Sequence, residues 1–457
     1  METGNEIIDE ALKKPDLEIV LPQIRTAYGG LREIVTKHFP SLWPQLHAFL
    51  AATVSICWSD ADLPVALIAT GPSGSGKTEP LMWITRCGLD ITVRSDDFTP
   101  ASFVSHAANV KKEKLEKNDL LPRIKDKVFC TKELAPLFSG REDELRTSFA
   151  KLTTVLDGEG LLTSSGTHGT RGYNERIVFA WLGATTPPSN KIFNLMAALG
   201  TRLFFFSTDV QPPRAQDYAA IIKGEKKKAR GKTECREVVT NYLGQLFDLI
   251  PVRSLSTDSV KVPDKIANDI GLLCEALTRL RGGISLGEGI SQEEDRYTTP
   301  SIEHGWRAAE VLATLAKGSA LTRGSQSVEK VDYEMIRHIC LSSMPETRRK
   351  VFEALLTQEG AVKAETIAKK ANMAKKTALH YLKELSILGV VDSATDSEPY
   401  LFTLKDEFQG LRQHTTPDPV TVQNSQKEPT QTQLSIENHY IQCVTQNDGV
   451  CELPEGF

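Results

Sequence analysis

The sequence predicts an α/β protein: a doubly wound domain with five parallel strands, then a helical region, then a small module of three helices and a hairpin. Three observations carry this. Five short apolar runs, LPVALIAT (63–70), ITVRS (91–95), KVFCT (127–131), IVFAWLG (177–183) and RLFFFS (202–207), are separated by helical stretches, notably 141–156. Runs that are apolar throughout suit strands buried on both faces, and their alternation with helices implies a parallel sheet. Residues 216–345 then switch to helical periodicity, and 346–408 hold three short helical patterns followed by two strands.

Around these lie two flanks. Residues 1–60 read as helical, broken by Pro40 and Pro44 and closed by Asp60–Asp62. From 409 the chain is polar, proline-dotted and poor in large apolar groups, so 409–457 is expected to be a disordered tail. The domain reading is therefore 1–60, 61–215, 216–345, 346–408 and 409–457. At 457 residues, 40% hydrophobic and 25% charged, the chain has a globular composition. No run approaches the roughly 18 apolar residues of a membrane span, and the N-terminal stretch reads as too charged for a secretory signal. Eight scattered cysteines with no CxxC pair argue against a zinc ribbon or disulfide framework and for a reducing, cytoplasmic address.

TGPSGSGKT (70–78) carries the first chemistry. Gly71, Gly76, Lys77 and Thr78 meet G-x-x-x-x-G-K-[ST], directly after a strand and before a helix, which is the context that motif requires. The backbone of Gly71, Pro72, Ser73, Gly74, Ser75 and Gly76 would turn N–H groups around phosphates, aided by the helix N-terminus. Lys77 would reach the β- and γ-phosphates of ATP, and the Thr78 hydroxyl would hold Mg²⁺. The later GKT at 231–233 sits in a basic stretch, KGEKKKARGK (223–232), read as a loop with no preceding strand. It is taken as coincidence. That stretch is either a solvated surface run or an extra DNA-backbone contact.

Hydrolysis needs an acid on a neighbouring strand, and two candidates compete. Glu133 follows the third strand, where ring-forming ATPases place a metal-ordering acid; Asp96 and Asp97 follow the second, where small P-loop kinases hold an acceptor hydroxyl. Thr185 and Thr186 end the fourth strand and suit positioning of an attacking water. Arg202 stands immediately before the fifth, placed to reach a nucleotide held by a neighbouring subunit.

Taken in order, GPSGSGKT, VFCTKEL, GATTPPS and LGTRLFFF resemble an AAA+ ATPase of the minichromosome-maintenance-like, helicase-related branch, over roughly residues 60–340. The resemblance implies a ring-forming homo-oligomer with Arg202 as arginine finger, Glu133 as the Walker B acid, and a helical lid over 216–345. It also implies a pore hairpin in LLTSSGTHGTRGYNERIVFAWL, with His168 and Arg171 at its tip against DNA; a solvated loop is the alternative. Two positions depart from the pattern. Lys132 replaces the usual aspartate before Glu133, and Ser301 stands where the sensor 2 arginine is expected, with Arg296 or Arg307 as substitutes.

The module 346–408 reads as helix, helix-turn-helix and β-hairpin, and resembles the winged-helix regulators. On its third helix Leu379, Leu382, Leu385 and Leu388 are expected to form the buried stripe, with Lys376, His380 and Lys383 opposite and Lys375 beside them. Residues 346–390 hold nine Lys/Arg against five Asp/Glu, so this segment is basic although the chain carries −5. DNA is the expected partner, held mainly through its backbone because lysines dominate; use in protein contacts is the alternative. The expected function is an ATPase that couples ATP to DNA engagement, in replication, helicase work or regulation. The alternatives are a P-loop kinase using Asp96 or Asp97, and a non-hydrolysing, nucleotide-switched DNA-binding regulator.

Overall fold

The computed structural model describes residues 14–105, 112–165, 169–200, 202–208, 214–284, 300–394 and 400–414. Five strands, β1 (Val65–Thr70), β2 (Thr92–Arg94), β3 (Val128–Thr131), β6 (Ala180–Thr185) and β7 (Leu203–Ser207), form one sheet in the order β2-β3-β6-β1-β7. Every pairing in it is parallel. Alternate residues of β1 enter different cores: Val65, Leu67 and Ala69 face one side, Ala66 and Ile68 the other. Both faces are therefore covered, which is why these strands read as continuous apolar runs. Burying a residue such as Leu67 or Ile68 contributes roughly 1.5–3 kcal/mol each.

Between β3 and β6 lie the Glu142–Leu156 helix and an antiparallel hairpin, β4 (Leu161–Ser165) and β5 (Gly169–Tyr173). The N-terminal flank is the Leu17–His38 helix, capped by Asp16 accepting from Glu18 N, followed by the Trp43–Thr53 helix with Pro44 in its first turn. Pro40 opens a short 3₁₀ turn between the two, so both expected breaks occur.

One expectation about this region needs correction. KGEKKKARGK is not a loop: it lies within one 35-residue helix, Ala215–Leu249. Lys, Arg, Ala and Glu are good helix formers and the run lacks proline, which outweighs its two glycines. Further along, Cys235, Val239, Tyr242, Leu243 and Leu246 bury one face of that helix in the core that also holds Val20, Leu21, Ile24, Leu31 and Val35. Arg281 ends the Asp264–Arg281 helix and is buried. Its guanidinium donates to Ser343 O at 2.5 Å and Leu203 O at 3.1 Å.

The last module contains the Glu346–Leu356, Ala364–Lys370 and Lys375–Ile387 helices and an antiparallel sheet, β8-β10-β9. Here β8 is Val362–Lys363, β9 is Val391–Ala394 and β10 is Leu401–Leu404. Arg348 ties the module down, donating to Leu280 O at 3.0 Å, Gly282 O at 2.7 Å and the Glu384 carboxylate at 2.8 Å. The buried stripe of its third helix is Ala378, Leu382 and Leu385, with Leu388 at its end; Leu379 is only half-buried. Ordered structure also runs past 409, through the Asp406–Gln409 helix and the Gly410–His414 turn, where Phe408 and Leu411 are buried. Residues 415–457 lie outside the described residues. No helix among those described is long and apolar enough to cross a membrane.

Candidate nucleotide-binding site

Strand β1 ends at Thr70, and parallel pairing sets Thr185 of β6 beside it. The chain then turns through Gly71–Lys77 into the Thr78–Thr85 helix. Gly74 and Gly76 take left-handed conformations, φ +80° and +85°. Such glycines curl successive main-chain N–H groups toward a common centre, the arrangement that suits an anion. Gly71 is required for a different reason. A Cβ there would lie 2.1 Å from Thr208 Oγ1 and 2.9 Å from Ser75 Oγ. Thr208 bridges the turn, with Oγ1 at 3.0 Å from Thr70 O and 3.2 Å from Ser75 Oγ.

Lys77 is buried, only 6% exposed, and its ammonium curls back to Pro72 O at 3.2 Å. A buried ammonium held by one carbonyl is under-compensated, since desolvating a charge costs several kcal/mol unless it is paired. Gln45, on the Trp43–Thr53 helix, fixes the next turn by donating to Lys77 O at 2.5 Å. Beside the loop, Thr185 is fully buried and its Oγ1 has no hydrogen-bond partner among the described residues. Such an orphan costs about 1–3 kcal/mol. Thr186 is exposed. The left-handed glycines, the buried ammonium and the orphan hydroxyl fit a polyphosphate. Among the described residues no group of three or more His, Cys, Asp or Glu is placed to hold a metal ion. Mg²⁺ held between the Thr78 hydroxyl and phosphates needs no such cage.

The acids lie farther off. Glu133, just past β3, is exposed, and its carboxylate accepts from Ala135 N at 2.9 Å, at the start of a short 3₁₀ turn. β3 is separated from β1 by β6, about 10 Å across at ~4.8 Å per strand. Asp96 and Asp97 follow β2 at the sheet edge, about 14 Å across by the same spacing. The Arg94 guanidinium, 2.9 Å away through Nε, holds Asp96 below the usual carboxylate range, with the Lys132 N–H assisting.

Arg202 is tied within its own chain. Its Nε donates to Asp157 Oδ1 at 2.8 Å, and the side chain is 16% exposed. Arg307 reaches the same carboxylate oxygen. A guanidinium waiting for a neighbour is therefore not what this conformation holds. Ser301 pairs its backbone with Gly283, and Arg296 lies outside the described residues.

The hairpin forms, but Arg171 is not at its tip. It stands inside β5 opposite Thr163, two register steps from the Ser165–Gly169 pair, because β5 begins at Gly169. His168 lies outside the described residues. In the C-terminal module Lys375 pairs with Glu365 at 2.5 Å and Lys376 is exposed. His380 faces Glu384 at 3.2 Å, and Lys383 rests 5.9 Å from the centre of the Tyr400 ring. The four form a face of one helix that is exposed at its N-terminal end.

Three residues of the loop's surroundings carry no local motif: Gln45, Thr208 and Arg349. Arg349 comes from the C-terminal module and lines, with Gly71 and Pro72, a cleft of about 190 Å³. Its partner Ser207 is 142 residues away in sequence, so spacing alone could not have found it.

Neither a family model nor a curated protein matches the chain. Among solved structures, a full-length MCM homolog from Methanopyrus kandleri aligns with a TM-score of 0.39 at 14% identity, over 72% of this chain. The chain spans 63% of that protein's length. A likeness of that size decides neither fold nor function.

Proposed function

We propose that this chain is an AAA+-type ATPase that binds ATP and Mg²⁺ at residues 71–78 and engages DNA through a winged helix at 346–408. One observation carries it: a buried, under-compensated Lys77 ammonium inside a glycine turn, beside the unpartnered Thr185 hydroxyl. ATP supplies the transferable phosphoryl group, and Mg²⁺ neutralises part of its charge. Lys77 exchanges the Pro72 carbonyl for phosphate oxygens. Thr78 offers its hydroxyl to the metal, and Thr185 orients the attacking water. Glu133 polarises that water once its carboxylate leaves Ala135 N. Completion of the pocket by Arg202 of a neighbouring protomer in a ring requires it to leave Asp157. Lys375, Lys376, His380 and Lys383 contact the DNA backbone, with the β4–β5 hairpin, His168 and Arg171 included, as a second contact. A cytoplasmic address belongs to this reading: the six described cysteines are all free and buried.

The test is ATP turnover with and without DNA, beside mass in solution with ATP bound. Expected are DNA-stimulated hydrolysis and an ATP-dependent oligomer, both lost in Lys77→Ala. A wild-type chain that binds no nucleotide would overturn the proposal.

The kinase reading is disfavoured for Asp96, which Arg94 engages at the far edge of the sheet, and would fall to the exposed Asp97. A non-hydrolysing nucleotide switch has an observation in its favour: Glu133 is occupied by Ala135 N. Unchanged turnover in Glu133→Gln would select it.

A further inference from the structure

The cleft beside Gly71 and Pro72 is closed on its far side by Glu346 and Arg349, both on the first helix of the C-terminal module. Two neighbouring arginines on that helix are treated very differently. Arg348 is well held, donating to two carbonyls and a carboxylate. Arg349 is 17% exposed, yet among the described residues its one hydrogen bond is a long one from NH1 to Ser207 Oγ at 3.4 Å. Its Nε is buried without a hydrogen-bond partner, and the nearest carboxylate, Glu353, stands off at 3.8 Å. A guanidinium this desolvated wants an anion, and its fork matches phosphate oxygens. Glu346, the acid in the same cleft, is held by Lys350 at 2.5 Å, and the Arg349 charge acts on it more weakly.

We propose that Arg349 contacts the terminal phosphate of the nucleotide bound in its own chain, so that the C-terminal module itself reports whether a triphosphate is present. This rests on the nucleotide-binding reading above. The route onward is short. Arg349 adjoins Arg348, which grips Glu384 on the Lys375–Ile387 helix, so a shift at the phosphate end reaches the lysine-bearing helix through one rigid segment. Linkage then makes the effect mutual: DNA on the module changes triphosphate affinity by the factor by which triphosphate changes DNA affinity.

The experiment is equilibrium titration of the full chain with fluorescent ADP and a fluorescent, non-hydrolysable ATP analogue. The variants are Arg349→Ala, Arg349→Lys and Lys77→Ala, each with its unfolding midpoint. Arg349→Ala should weaken the triphosphate about tenfold, equivalent to ~1.4 kcal/mol, and the diphosphate less than about twofold. Arg349→Lys should recover part of the loss, and Lys77→Ala should weaken both nucleotides. Arg349 variants that weaken both nucleotides equally, or neither, while Lys77→Ala still abolishes binding, would overturn this inference and leave the nucleotide site standing. A wild-type chain that binds neither nucleotide would remove the site and the inference together.

Discussion

The two ends of β7 pose opposite electrostatic problems. At its entry Arg202 and Arg307 share the Asp157 carboxylate, and the charges are closed within the chain. Arg281 leaves NH1 unpartnered behind this end, but its other donors are taken. At its exit β7 meets the glycine turn, where among the described residues Lys77 has one carbonyl, Arg349 one long hydrogen bond and Thr185 Oγ1 no hydrogen-bond partner. Two cations gather there, and the acids near Arg349 are distant or shared: Glu353 stands at 3.8 Å and Glu346 is held by Lys350. The lesson is that cations alone do not mark a site; cations that line a cleft without a close counter-charge do.

The contrast can be broken most sharply at the exit. Lys77→Ala should lower nucleotide affinity at least about a hundredfold, roughly 2.7 kcal/mol, in a binding titration; an unchanged affinity would make the glycine turn an ordinary bend. Next comes acid. His47 is fully buried behind the turn, on the helix that carries Gln45, between Tyr28 OH at 3.1 Å and Ser319 Oγ at 2.8 Å. Desolvation pulls its pKa from 6.5 to about 4, with Arg323 and Arg32 assisting and the Asp332 carboxylate opposing. Between those values the unfolded chain holds a proton that the native chain refuses. Stability should therefore fall as pH drops from 6.5 toward 4, by about 3 kcal/mol in all. Urea unfolding at pH 7 and pH 5 reads this, and His47→Gln should flatten the slope.

At the entry, Asp157→Asn unpairs two guanidiniums that are partly hydrated. A loss of about 1–2 kcal/mol in unfolding free energy is expected, discounted for that exposure. If the same variant raises turnover by releasing Arg202 toward a neighbour, the entry becomes a latch and the contrast sharpens. The smallest effect belongs to Lys376→Glu, which should leave nucleotide binding alone. It should lower the salt dependence of DNA binding by a slope of about 1–2; an unchanged slope would favour protein contacts for this face.

All five core strands and the glycine turn were legible because their signals are local: apolar runs, and a motif between a strand and a helix. The 223–232 stretch was misread because its charge suggested solvent, whereas the packing of Cys235, Val239 and Tyr242 farther along extends the helix back through it. Gly231 is pressed against His38, and Lys232 pairs with Glu79 of the Thr78–Thr85 helix, contacts no spacing rule supplies. Arg202 was correctly placed before its strand, but its Asp157 partner lies 45 residues upstream. Arg349 was hidden for the same reason, since only the folded chain brings its helix to Ser207.

Thr185 carries a consequence for anyone seeking a hardier version of this protein. Valine has nearly the same shape and no hydroxyl to leave stranded, so Thr185→Val should melt higher than the natural chain. A screen that rewards heat resistance alone would select that change and discard the group we propose to aim the water. On that proposal, thermal robustness and turnover pull against each other at this one side chain.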